Sequence, residues 1–191
     1  MKEVSRYHHG SLREELLSTA LKILDEDGIE AIGIRSVAKR VGVAHSAPAN
    51  HFKNKAALLT AINKTIALHL IAAVRSKLDT INADSDDSIH QFSRAVLEYG
   101  LKYPNRYRLI WRSELELDES MDEIYNVLTQ MLQKYADQKN VDVQSQAIAL
   151  WSLIHGYVAL RLDGHMQVGH DELTGLDRQT AIINVILDGI R

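Results

Sequence analysis

The sequence predicts an all-α protein of about nine helices, built as a small three-helix head followed by a larger helical body. Three observations predict it. Apolar residues recur three or four positions apart rather than in alternation, aromatic residues make up only 6 % of the chain, and only two prolines interrupt its 191 residues. Helix signals therefore recur throughout, and strand signals do not.

Ser11-Leu12-Arg13-Glu14 has the form of a capping box, in which the serine hydroxyl and the glutamate carboxylate each satisfy an orphan backbone N–H at a helix start. The first helix then runs to a stop at Gly28, with Leu12, Leu16, Leu17, Ala20, Ile23 and Leu24 on one side. Asp25-Glu26-Asp27 near its end oppose the helix macrodipole, so they are not there for helix stability. From Ile34 to Val41 a short amphipathic segment places Ile34, Val37, Ala38 and Val41 inward and Arg35, Ser36, Lys39 and Arg40 outward. Gly42 breaks it, and a second short segment follows from Ala44 to His51. Two short helices joined through a glycine are the sequence form of a helix-turn-helix, here at about 33–52. Pro48 inside the second segment requires that helix to be short, with the proline in or near its first turn.

A long helix is expected from Lys55 to Leu78, carrying Leu58, Leu59, Ile62, Ile66, Leu70, Ile71 and Val74 as a connector between head and body. The polar stretch 82–87 precedes a helix from Ser88 to Tyr103, which Pro104 terminates. Asn105–Ser113 forms a shorter helix, Met121–Lys139 and Val143–Asp163 two longer ones, and Leu176–Ile190 closes the chain after a loop at Gly164–Gly169. The domain boundary is placed at 58/59, giving a head of residues 1–58 and a body of 59–191.

Composition excludes several functions. A hydrophobic share of 46 % with 25 % charged residues is ordinary for a soluble globular protein. The absence of cysteine excludes disulfides, thiolate metal sites and thiol nucleophiles. The N-terminus lacks an apolar signal-peptide core, and no apolar run approaches the roughly 20 residues of a membrane span, so a soluble cytoplasmic protein is expected. No Gly-x-Ser-x-Gly, phosphate loop or paired His-Glu helix motif appears, so neither an enzyme nor a cofactor is expected. His165, His170, Asp171 and Glu172 fall in a loop without the spacing of helical ligands, so no metal site is expected. The net charge of −3 is unevenly spread: no acidic residue lies between Glu30 and Asp79, whereas Arg35, Lys39, Arg40, Lys53, Lys55, Lys64, Arg75 and Lys77 do. A basic block in an acidic chain points to a surface that faces a polyanion.

The stretch GIEAIGIRSVAKRVGVAHSAPANHFKNKAALL, Gly28 to Leu59, resembles the TetR family of bacterial transcriptional regulators. The matching elements are the Gly28 stop, the IRSVAKRVGV helix and turn, the short helix ending in His51-Phe52, and the Lys55-Ala56-Ala57-Leu58-Leu59 opening of the long helix. Tyr7 to Arg13 and Trp151-Ser152-Leu153-Ile154-His155-Gly156 resemble a subgroup with a Trp-x-x-x-His-Gly element in its body. The resemblance implies a helix-turn-helix that lays its second short helix in the major groove of DNA. His45, Ser46, Ala47 and Asn50 are then the candidate base readers: Asn50 suits adenine, His45 a guanine acceptor, Ala47 a thymine methyl. Arg35, His51, Lys53 and Lys55 are candidate phosphate contacts, with His51 equally readable as head packing. Three hydroxyls usual in family heads are missing, at Gly33 (Thr), Ala44 (Ser) and Ala49 (Tyr). In the body the resemblance points to a small-molecule effector, with Tyr99, Tyr103, Tyr107, Trp111, Tyr125, Met131, Trp151 and His155 as candidate pocket residues or core filler. It also implies a homodimer through the last two helices and a repressor relieved by the effector. The alternative is a helical ligand-binding protein whose head no longer recognises DNA.

Overall fold

Helix α1 spans His9–Asp27 in the computed structural model, which describes residues 9–79, 87–112, 120–139 and 142–190. It already covers His9 and Gly10, so Ser11 lies inside its first turn instead of capping it. A 3-10 turn, Ile29–Ala31, leads into α2, Ile34–Val41. Its N-cap, Gly33, has no side chain to offer. Ser36 substitutes: its hydroxyl oxygen accepts from the Gly33 N–H at 2.9 Å and its proton reaches the Ala31 carbonyl at 2.8 Å. Ser36 is therefore half-buried and locally bonded, not outward-facing as its place on the helix pattern predicts.

Gly42 ends α2 in the left-handed region, at φ 83°, and both it and Val43 donate to the Ala38 carbonyl. This is the αL stop that glycine makes without steric cost. The second short element is a single 3-10 turn, Ala47–Asn50, with Pro48 buried in its first positions, as the proline requires. The Pro48 carbonyl accepts from both His51 and Phe52.

Helix α3, Lys55–Leu78, has the predicted bounds. Asn54 caps it, its Oδ1 accepting from the Ala57 N–H at 2.9 Å. By length and composition α3 is apolar enough to cross a membrane, contrary to the expectation that no segment approaches this. Several of its apolar side chains, Leu58, Ile62, Ile66, Leu70, Ile71 and Val74, are buried, while Leu68 is exposed.

The remaining helices are α4 (Asp87–Lys102), α5 (Pro104–Ile110), α6 (Ser120–Lys139), α7 (Val143–Leu162) and α8 (Arg178–Ile190). With α1 to α3 they make eight α-helices among the described residues, an all-α fold close to the predicted number. The described residues pack as two units: those up to 66 with 105–112, and those of 67–104 with 120–190. The first unit thus takes in α5 from Asn105 on, because its side chains bond to the end of α1. In the second unit α7 packs on both α4 and α6. The core there is built from Ile89, Phe92, Val96, Leu128, Leu150, Ile154 and Val158, all buried. Asp142 caps α7 by accepting from the Ser145 N–H, and Asp177 accepts from the Thr180 N–H at the start of α8. The loop between α7 and α8 closes with a short antiparallel bridge, His170 to Asp177.

Candidate nucleic-acid interface

Apart from Lys64, the cations of the acid-free stretch separate into two groups. Arg40 reaches back to Glu26 at 2.5 Å and Asp27 at 3.4 Å. In the second unit Arg75 pairs with Glu123, and Lys77 with Glu98 at 3.0 Å. Arg35, Lys39, Lys53 and Lys55 are exposed and have no carboxylate partner among the described residues. Their positions are telling. Two lie on α2 and two bracket the start of α3, on either side of the 3-10 turn that stands where a recognition helix is expected. Unpaired cations flanking a short exposed element are what a phosphate backbone requires on both sides of a base-reading segment.

On that segment His45, Ser46 and Asn50 are exposed, while Ala47 and His51 are half-buried. Ala47, Asn50 and His51 meet at a hollow of about 470 Å³, whose other walls are Gly42, Val43, Ala44 and Leu12 of α1. Phe52 is buried, with the Arg13 guanidinium 5.5 Å above its ring and the His51 ring centroid 6.5 Å away. It anchors the turn to α1 and is a packing residue. Two contributors are absent from the sequence-based set of contacts. Lys39 belongs with the unpaired cations, and Asn54 caps the helix that begins at Lys55; an asparagine just before a helix start was the available signal.

The acids that end α1 now have partners. The Arg106 guanidinium of α5 bonds both Asp25 oxygens, at 2.8 and 2.6 Å, and the Asn105 amide donates to the Leu24 carbonyl at 2.9 Å. Glu26 and Asp27 hold Arg40, so the run neutralises cations that would otherwise be free.

The eight candidate effector residues are divided between the two units. Tyr107 and Trp111 belong to the first unit, their rings 5.9 Å apart, and burial pushes the Tyr107 phenol well above its ordinary range. In the second unit Tyr99 and Tyr103 have ring centroids 5.2 Å apart, and Trp151 meets Phe92 edge-on at 6.1 Å. Tyr125 donates to the Gln144 carbonyl at 3.3 Å, and Met131 is half-buried. His155 is half-buried, and burial lowers its pKa, favouring the neutral imidazole. One polar residue absent from the set stands out: Gln146 of α7 is buried, with neither amide atom bonded among the described residues. The loop acids serve local structure. Asp171 accepts from the Leu173 and Thr174 N–H groups and the Thr174 hydroxyl.

Residues 16–62 match the family model described as bacterial regulatory proteins of the tetR family, and residues 89–182 match that of the tetracyclin repressor-like C-terminal domain. The class C tetracycline repressor protein of Escherichia coli is 46 % identical over 50 residues, 26 % of this chain and 23 % of that protein. An HTH-type transcriptional regulator of Mycobacterium tuberculosis is 24 % identical over 164 residues, 81 % of this chain and 72 % of its own length. In fold, a protein from a Rhodococcus species superposes with a TM-score of 0.75 at 23 % identity, covering 97 % of this chain and 96 % of its own. A TetR family transcription regulator from Marinobacter aquaeolei gives 0.67 at 18 % identity, over 94 % and 95 %. With both its head and its body matched to the family's two domain models, the chain belongs to the TetR family of transcriptional regulators, proteins that carry a helix-turn-helix and are not enzymes.

Proposed function

We propose that the chain is a homodimeric repressor that binds operator DNA and releases it when a small molecule occupies the helical body. The observation that carries the DNA reading is the partition of cations: Arg40, Arg75 and Lys77 are neutralised internally, leaving Arg35, Lys39, Lys53 and Lys55 around the exposed turn. His45, Ser46, Ala47 and Asn50 read base edges, and His51 stands at the border of that surface. Dimerisation through α7 and α8 is supported by the apolar side chains they leave exposed, Ile148, Leu160 and Val185. An effector that binds one body conformation better than another shifts the population of DNA-competent dimers by its differential affinity. The buried aromatics of α4 and α7 and the unbonded Gln146 amide are the places in the body that suit such a ligand.

The second reading, a ligand-binding protein without DNA recognition, is favoured by Gly33, Ala44 and Ala49, which lack the hydroxyls usual in family heads. Fluorescence anisotropy of the purified chain on duplexes from the DNA flanking its own gene, begun at low salt, separates the two. Saturable binding as a dimer is expected. No binding to any duplex at low salt overturns the repressor reading in favour of the second.

A further inference from the structure

The hollow beside the exposed turn is apolar where a DNA-reading surface is normally polar. Leu12, Val43, Ala44 and Ala47 supply apolar walls, and Asn50 and His51 add polar groups. Its volume is about 470 Å³, and two of its lining residues, Ala44 and Ala47, carry short side chains. Taken as part of a DNA contact, this surface meets the floor of a major groove, whose base edges present hydrogen-bond donors and acceptors with one exception. The exception is the 5-methyl group of thymine, or of 5-methylcytosine. Any other base edge set against these walls would lose its water without gaining a partner, which is unfavourable.

We infer that the hollow selects a 5-methylpyrimidine in each half-site, the methyl group entering between Ala44 and Ala47 while the Asn50 amide bonds an adenine edge. The occupant is double-stranded DNA, chosen by charge complementarity: the exposed, carboxylate-free Arg35, Lys39, Lys53 and Lys55 lie in the segments on either side of the hollow-lining residues, and no acidic residue occurs from position 31 to 78. The inference rests on the DNA-binding reading and makes a narrower claim, that one methyl group per half-site is recognised as an apolar object.

The test uses the full chain and a duplex selected by it from a random library. Each thymine is replaced in turn by deoxyuridine, which removes the methyl group and keeps every hydrogen-bonding atom. At one position per half-site, affinity is expected to fall about fourfold, the worth of one buried methyl-sized group. At that position 5-methylcytosine should bind better than cytosine. Ala47→Val, which puts two extra methyl groups where the pyrimidine methyl would enter, should bring the thymine-to-uracil ratio close to one, and Ala44→Val provides the same reading should the first variant fold poorly. A selected duplex that is bound equally well with every thymine replaced overturns this inference and leaves DNA binding standing. Failure to select any duplex overturns both.

Discussion

The Arg106 guanidinium and the Asp25 carboxylate face each other in a two-bond fork, Nε to Oδ1 at 2.8 Å and Nη2 to Oδ2 at 2.6 Å, from residues 81 positions apart. The Arg106 side chain is only 13 % exposed, so the pair is better shielded than an ordinary surface contact. Together with Asn105, which donates to the Leu24 carbonyl, it ties α5 to the last turn of α1. Carboxylates at a helix C-terminus oppose the macrodipole, and a fixed guanidinium offsets that cost.

Removing this fork should loosen the first unit. Arg106→Ala is expected to lower the unfolding free energy by about 1–2 kcal/mol, above the usual surface pair and below a fully buried one. Arg106→Lys should recover only part of it, because an ammonium cannot make the parallel pair of bonds. Urea unfolding of both variants, of Asp25→Ala and of the Asp25→Ala, Arg106→Ala double mutant checks this; additive losses would mean that the fork contributes nothing of its own.

Gly42→Ala places a side chain at φ 83°, where the left-handed conformation costs about 1–2 kcal/mol. No atom lies within 4 Å of the added Cβ, so the loss is conformational and not a clash. A lower melting temperature follows, and DNA affinity should fall as well, since the glycine sets the angle at which the exposed turn leaves α2. A variant melting as the wild type does would show that the turn relaxes freely.

Gly33→Thr restores a hydroxyl at the N-cap of α2. The glycine is extended, at φ −163°, and its added Cβ would meet only the Ser36 hydroxyl at 3.7 Å, an ordinary contact. Stability should rise by only a few tenths of a kcal/mol, because glycine is itself a tolerable N-cap. DNA affinity should rise roughly two- to tenfold if the hydroxyl gains a phosphate bond. Anisotropy titrations of the two proteins on one duplex decide whether the missing hydroxyl limits binding.

Elements governed by local chemistry were legible in the sequence. The bounds of α3 follow from its uninterrupted apolar periodicity, and the brevity of the turn at Ala47–Asn50 follows from Pro48. Helix starts were less so: the Ser11 pattern fits a cap, yet α1 includes His9, and α8 begins at Arg178 because Asp177, not a residue before Leu176, accepts from Thr180. The packing of α5 with α1 was not legible at all, since it depends on Arg106 meeting Asp25 across 81 residues. The candidate site shows the same division. Its residue types could be read from their pattern, but which cations are spent on Glu26, Asp27, Glu98 and Glu123 is a matter of tertiary structure.

The second unit should lose stability toward acid in two steps. Hydrogen bonds hold three carboxyls below their ordinary range: the Ser145 hydroxyl on Asp142, the Thr174 backbone N–H on Asp171 and the Thr180 hydroxyl on Asp177. The unfolded chain therefore binds these protons first, so the stabilisation is complete above about pH 4 and is lost as pH falls through the lower folded values. His155 acts earlier. Burial lowers its pKa, so below about pH 6.5 the unfolded imidazole takes a proton that the folded one refuses, and stability falls from there until the folded group charges. Melting temperatures from pH 8 to 3 should show both declines, with His155→Gln reducing the first and leaving the second.

The salt dependence of DNA binding provides the sharpest check on the partition of cations. Each phosphate neutralised contributes about 0.9 to the slope of log affinity against log salt, so a dimer losing one contact per head should lose roughly 1.8. Alanine at Arg35, Lys39, Lys53 or Lys55 removes a cation with no carboxylate partner among the described residues and should produce that change, with similar weakening on unrelated duplexes. Arg40→Ala is the control. Its charge is already held by Glu26 and Asp27, so the slope should stay near the wild-type value even if the head is slightly less stable. A slope that falls as far for Arg40→Ala as for Lys53→Ala would mean that the internal pairs open on DNA, and that the cationic surface is wider than the four side chains assigned to it.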